Sequence, residues 1–128
     1  MSPQDRDNDK IADICAAIEK INRYTFGMDL QAFQASELVQ DAVLKNIGVI
    51  GEAVTKLSDG LKKAHPRIQW RDIAGMRNRV VHDYNRVSLM LVWNTIQDVL
   101  PEFLQAVRLM QAEIDSQATK PSASPKPP

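Results

Sequence analysis

With 128 residues, 44% of them hydrophobic, the chain is long enough for one domain with a buried core and short for two. A quarter of the residues are charged, yet the formal net charge is zero. That balance excludes both a global basic field and the acidic excess of a solvating, disordered chain. The single cysteine, Cys15, excludes an internal disulfide framework and a multi-cysteine zinc site, and fits a small buried hydrophobe in a reducing, cytoplasmic compartment.

The N-terminal stretch MSPQDRDNDK has no apolar core of the signal-peptide kind, and no apolar run reaches the length of about 18 residues that a membrane span needs. A cytoplasmic protein with no membrane association is expected. From Ile11 the apolar residues Ile11, Ile14, Cys15, Ile18 and Ile21 step by three and four, which predicts a first amphipathic helix. The segment TFGMDLQAF breaks the period, with Gly27 and Asp29 as turn residues. Ser36 followed by Glu37 predicts the start of a second helix, on which Val39, Val43, Ile47, Ile50, Val54, Leu57 and Leu61 keep the helical step to about Ala64, short of Pro66. Within it, GVIG lacks the strand, turn and lysine of a phosphate loop, so Gly48 and Gly51 read as places where another helix approaches closely.

A third, shorter helix is expected from Trp70 or Arg71 to Tyr84, and Ser88 is placed to cap a fourth. From Leu89 to Ile114 the helical period returns, interrupted by Pro101, which lacks an N–H and predicts a kink or a division. The last ten residues are rich in proline and serine and predict a disordered or polyproline-like tail over 119–128, leaving 1–118 as the helical domain. No alternating strand pattern is visible. The expected fold class is all-α, an antiparallel four- to five-helix bundle with short connections.

Charge is unevenly spread. Between Lys62 and Arg86 seven basic residues face two acidic ones, a local net of +5 balanced by −5 elsewhere. Arg71, Arg79 and Arg86 in this stretch are candidates for contacting phosphates. The same stretch contains RNRVVHDY, residues 77–84. On a helical wheel of about 100° per residue, Ile73, Met76, Val80, Val81 and Tyr84 share an apolar arc, with Arg77 in its middle. A guanidinium buried there needs a partner, because breaking a buried pair costs on the order of 3–5 kcal/mol. Glu52, in the apolar stretch IGEAV, is the candidate partner. Asn78 and His82 are one helical turn apart, so the amide could orient the imidazole.

A histidine that exchanges protons near neutrality and a fixed cation are the two parts that metal-independent RNA cleavage requires. The histidine takes a proton from a ribose 2′-hydroxyl, and the cation stabilises the five-coordinate phosphorus. Arg77 and His82 lie about 140° apart on a straight helix, however. Either the helix loosens near the motif, or a second copy of the chain completes the site across a two-fold axis, and the second option also gives the Arg77 face something to bury against. His65, beside Pro66, reads as a residue at a helix C-terminus. Two histidines and one cysteine in separate segments show no metal-ligand spacing, and neither a metal nor another cofactor is expected.

Arg77-Asn78-x-x-x-His82-x-Tyr84 resembles the signature of the HEPN superfamily, and the tyrosine two residues after the histidine resembles its HepT-like branch. The likeness runs through QDAVLKNIGVIGEAVTKLSD, HPRIQWRDIAGMRNRVVHDYNRV and LVWNTIQDVLPEFL, over roughly residues 8–115. The resemblance implies an all-α homodimer with the two motifs lining a shared cleft, acting as a metal-independent ribonuclease toxin on tRNA or messenger RNA. It further implies an MntA-like nucleotidyltransferase antitoxin that transfers AMP from ATP to Tyr84. Carried over by position, His82 moves the proton, Arg77 holds the scissile phosphate and Asn78 assists. A reading of another class is a catalytically silent HEPN module that serves as the nucleotide- or substrate-binding partner of such a transferase.

Overall fold

The chain is described here by a computed structural model covering residues 2–119. Helix α1, Pro3–Tyr24, starts where Ser2 accepts the Asp5 N–H (3.1 Å) and Pro3 supplies a preset φ. Its apolar residues Ile11, Ile14, Cys15, Ile18 and Ile21 are all buried, on the face that their spacing predicts. Helix α3, Glu37–Thr55, begins at the expected cap, Ser36, and buries Val43, Ile47, Ile50 and Val54.

Asp7, near the start of α1, bonds to Ser58, just past the end of α3. At the other end of α1, Glu19 meets Arg108 at 3.0 Å, and the Cys15 thiol lies 3.8 Å from Gln111. Both α3 and α8, Leu100–Thr119, therefore run antiparallel to α1. The chain is an all-α bundle around these three long helices, as the sequence predicts.

Three boundaries differ from expectation. The interrupting segment contains a short helix α2, Leu30–Gln34, capped by Asp29. Its Phe33 is buried against Trp93, with ring centroids 5.4 Å apart. The second long helix stops at Thr55 and a separate α4, Asp59–Ala64, follows. Ser58 ends the run by accepting the Leu61 N–H, while its own N–H and hydroxyl are taken by the Asp7 carboxylate. The expected third helix is divided as well. Residues Trp70–Ala74 form α5, Gly75 interrupts, and Met76–Val80 form α6. The helix then gives way to a two-residue ladder, β1 Val81–His82 with β2 Arg86–Val87, a feature that the hydrophobic period does not announce.

Beyond it, Ser88 caps α7, Leu89–Asn94, as expected. The kink expected at Pro101 is a π turn, Thr95–Val99, in which the Leu100 N–H reaches back to the Thr95 carbonyl. Widening the helix by one residue removes the ring-against-carbonyl clash of an interior proline without ending the helix. No helix among the described residues is long and apolar enough to cross a membrane. The tail expected over 119–128 lies, from residue 120 onward, outside the described residues.

Candidate active site

Two glycines place the motif. A Cβ on Gly51 would stand 2.9 Å from the Ala74 carbonyl oxygen, so α5 backbone lies directly on α3 at that point. One turn earlier, a Cβ on Gly48 would meet the Cδ of Arg77 at 3.8 Å, an ordinary contact. Gly51 is a close helix approach of the kind the reading of GVIG predicts, whereas Gly48 faces only a side chain at ordinary distance. Together they seat α5 and α6 so that the aliphatic stem of Arg77 crosses α3 at Gly48.

Arg77 itself is exposed, which corrects the expectation of a buried guanidinium. Its stem covers apolar surface while the charged head stays in water, as long basic side chains do. Glu52 is not its partner. That carboxylate is exposed and pairs at 3.1 Å with Lys56, four residues on at the C-cap of α3. The other polar residues of α6, Asn78 and Arg79, are exposed too, and Arg79 donates from Nη2 to the Asp72 carbonyl at 3.2 Å.

The second half of the motif lies off the helix. The Ser88 N–H donates to the Val80 carbonyl at 2.8 Å, closing a hairpin in which Val81 faces Val87 and His82 faces Arg86. Strand alternation turns the half-buried valines inward and leaves His82 and Arg86 exposed on the other face. Between the strands Asp83, Tyr84 and Asn85 have φ of 47°, 57° and 69°, a left-handed run closed by the Arg86 N–H on the Asp83 carbonyl (3.2 Å). Aspartate and asparagine tolerate this conformation; tyrosine does so at a cost.

Tyr84 stands fully exposed at the tip, off the apolar arc on which the helical wheel puts it. Because the helix ends at Val80, two wheel relations also fail: Asn78 is not held one helical turn from His82, and Tyr84 does not share a helical face with Arg77. Of the two ways out of the 140° problem, the structure shows the helix ending. Asp83 and Asn85, flanking the tyrosine, were the sequence signal for the turn.

Arg86 is therefore the cation set opposite His82, and Arg71 is exposed on α5. His65 is the C-cap of α4, and its carbonyl accepts the indole N–H of Trp70 at 3.0 Å. Among the described residues no three His, Cys, Asp or Glu side chains converge as a metal-ligand set.

The sequence model of the family described as "Ribonuclease HepT-like" matches residues 14–110. The "Probable ribonuclease HepT" of Thermococcus cleftensis is 33% identical over 93 residues, 73% of this chain and 84% of that protein. "Putative RNase MJ0125" of Methanocaldococcus jannaschii is 33% identical over 90 residues, 70% of this chain and 78% of the relative. A third relative, "Putative RNase TTE0752" of Caldanaerobacter subterraneus subsp. tengcongensis, is 31% identical over 88 residues, covering 68% and 79%. No solved structure matches the chain.

Proposed function

The chain belongs to the HepT-like ribonuclease family, and from that premise we propose that it is a metal-independent endoribonuclease toxin of a type VII toxin–antitoxin system. The observation that carries the reading is the arrangement of RNRVVHDY: one chain segment presents Arg77, Asn78, His82 and Arg86 to solvent, and among the described residues no carboxylate is bridged to any of them.

His82 takes the proton of a ribose 2′-hydroxyl. The 2′-oxygen bonds to the adjacent phosphorus, the bond to the 5′-oxygen breaks, and that oxygen leaves with a proton taken from solvent, a cyclic phosphate staying behind. Arg77, braced against Gly48, neutralises the charge that builds on the non-bridging oxygens, and Asn78 donates beside it. Arg86, and more distantly Arg71 and Arg79, attract the flanking phosphates of a tRNA or messenger RNA. A second copy of the chain supplies the facing motif. The exposed Leu38 and Val49, eleven residues apart and so on one strip of α3, provide apolar surface for that homodimer.

Tyr84 is the switch. Its hydroxyl, at the tip of the hairpin, attacks the α-phosphorus of ATP held by an MntA-like nucleotidyltransferase antitoxin; pyrophosphate leaves and AMP stays on the tyrosine. The added phosphodiester puts negative charge two residues from His82, where RNA phosphates must enter. The test is intact mass and peptide mapping of protein made with and without the transferase, each preparation being assayed on RNA. An AMP increment on Tyr84 only in the presence of the transferase, with cleavage by the unmodified form alone and none by His82→Ala, is expected. Absence of any His82-dependent cleavage from both preparations overturns the reading.

A further inference from the structure

On the far side of α6 from Arg77, a groove of about 380 Å³ opens between α8 and the segment leading into α5. Its floor is apolar, made by Ile68, Ile73 and Phe103. Its polar lining is mixed in charge, with Arg67 and Gln69 from the segment before α5, Asp72 from α5, Arg79 from α6 and Glu102 from α8. Arg77 and Arg79 are two residues apart, hence about 200° around α6. One guanidinium stands at the proposed scissile phosphate and the other at the groove.

We propose that this groove is a base-binding subsite that takes one nucleotide of the RNA flanking the cleavage point, and that it favours a base with an exocyclic amino group. The inference rests on the ribonuclease reading for its ligand, and on three observations and one rule of base chemistry for its place and preference. The volume is in the range of small-ligand sites, which begin at about 300 Å³. Two carboxylates and two guanidiniums balance on the rim, which is unsuited to a run of phosphates and suited to the edge of a base. A carboxylate accepts from the amino group of cytosine, adenine or guanine, whereas uracil offers a carbonyl there. Arg79 is held at the mouth by its bond to the Asp72 carbonyl, with its other N–H groups free to meet the phosphate joining this nucleotide to the next.

The π turn has a part in this shape, because Val99, its last residue, lines the groove just before α8 supplies Glu102 and Phe103. The occupied groove would therefore sit where the helix is locally widened, a common setting for functional sites.

The experiment uses the non-cleaving His82→Ala protein and fluorescent oligouridylates carrying a single adenosine or cytidine, with binding read by anisotropy. The expected result is about tenfold tighter binding of the substituted oligonucleotides than of plain oligouridylate, within the range that one good base contact provides. Ala106→Phe, which fills the groove, and Glu102→Met, which removes the acceptor, should each reduce the preference to less than about twofold. Should Ala106→Phe fail to fold, Gln69→Ala and Glu102→Met, both on exposed positions, decide the matter. Equal binding of all the oligonucleotides, or a preference that survives these variants, overturns the subsite. So does loss of nucleotidyltransferase binding by the variants with base preference intact, which would make the groove a protein-docking site. Absence of cleavage by the wild-type protein strikes the ribonuclease proposal alone, because the groove is read from binding.

Discussion

Gly51 and Ala74 are in backbone contact: a Cβ on the glycine would stand 2.9 Å from the Ala74 carbonyl oxygen. The obstacle is main chain and cannot rotate away, so Gly51→Ala must push α5 off α3. Overpacking of this kind costs typically 1–3 kcal/mol, against a gain of roughly 0.5–1 kcal/mol from replacing a mid-helix glycine. The clash outweighs the gain over nearly all of that range, and net destabilisation of about 1 kcal/mol, at most about 2.5, is expected. At Gly48 the nearest atom is the flexible Arg77 Cδ at 3.8 Å, so Gly48→Ala should be neutral or stabilising by up to about 1 kcal/mol. Urea denaturation of the two variants, followed by circular dichroism, checks the opposite signs.

Tyr84 offers a stability change in the unusual direction. The side chain is fully exposed and its φ is 57°, so it carries the cost of a left-handed residue without packing in return. Tyr84→Asn keeps a residue tolerant of that region, and should raise stability by about 0.5–1 kcal/mol while removing any acceptor for AMP. Tyr84→Phe should leave the unfolding midpoint within about 0.5 kcal/mol of wild type. A thermal melt in which Tyr84→Asn lies below wild type would mean that the tyrosine packs against something in solution.

The long helices were legible because they depend on periodicity and caps. Ile11 to Ile21, Val43 to Val54, and the hydroxyls of Ser36 and Ser88 each carry their own signal. The hairpin was hidden because Met76, Val80, Val81 and Tyr84 satisfy a helical step whether or not the helix continues. What stops it is a tertiary bond from Ser88 to the Val80 carbonyl, together with Asp83 and Asn85 in left-handed geometry. Arg77 was misjudged for a related reason. A wheel reports an angle, and cannot report that α6 lasts five residues and overlies a glycine. Ser58 reads as one more polar residue in a helix until Asp7, from the far end of α1, meets it.

That meeting yields a third prediction. The Asp7 carboxylate accepts from the Ser58 N–H at 2.8 Å and from its hydroxyl at 2.6 Å, and Asp7 is a buried residue. Asp7→Ala leaves a part-buried backbone donor without its acceptor, so a loss of about 1.5–3 kcal/mol is expected. Ser58→Ala removes one of the two bonds and the cap of α4 together, at about 1–2 kcal/mol. The two should not add. A double-mutant cycle should return a coupling of roughly 0.5–3 kcal/mol, and additive losses would show that the pair does not hold the α3–α4 break in place.

Cys15 supplies the pH-dependent case. Burial raises its thiol above the ordinary value of 9.0, the Glu19 carboxylate raises it further, and Arg108 works in the opposite direction. The folded chain therefore keeps its proton at pH values where the unfolded thiol has begun to lose it. Stability from this group is fully present below about 9, and is lost as pH rises from there through the higher folded value. Alkylation by iodoacetamide, which consumes thiolate, should be slow in the native protein at neutral pH and fast in denaturant. Glu19→Gln removes a raising influence and should shift the native rate profile to lower pH, whereas Arg108→Gln should shift it higher. Since Glu19 and Arg108 also bond to each other at 3.0 Å, the two single shifts should exceed in size the shift of the double variant. A native alkylation rate equal to that in denaturant would place the thiol in solvent, contrary to its packing between α1 and α8.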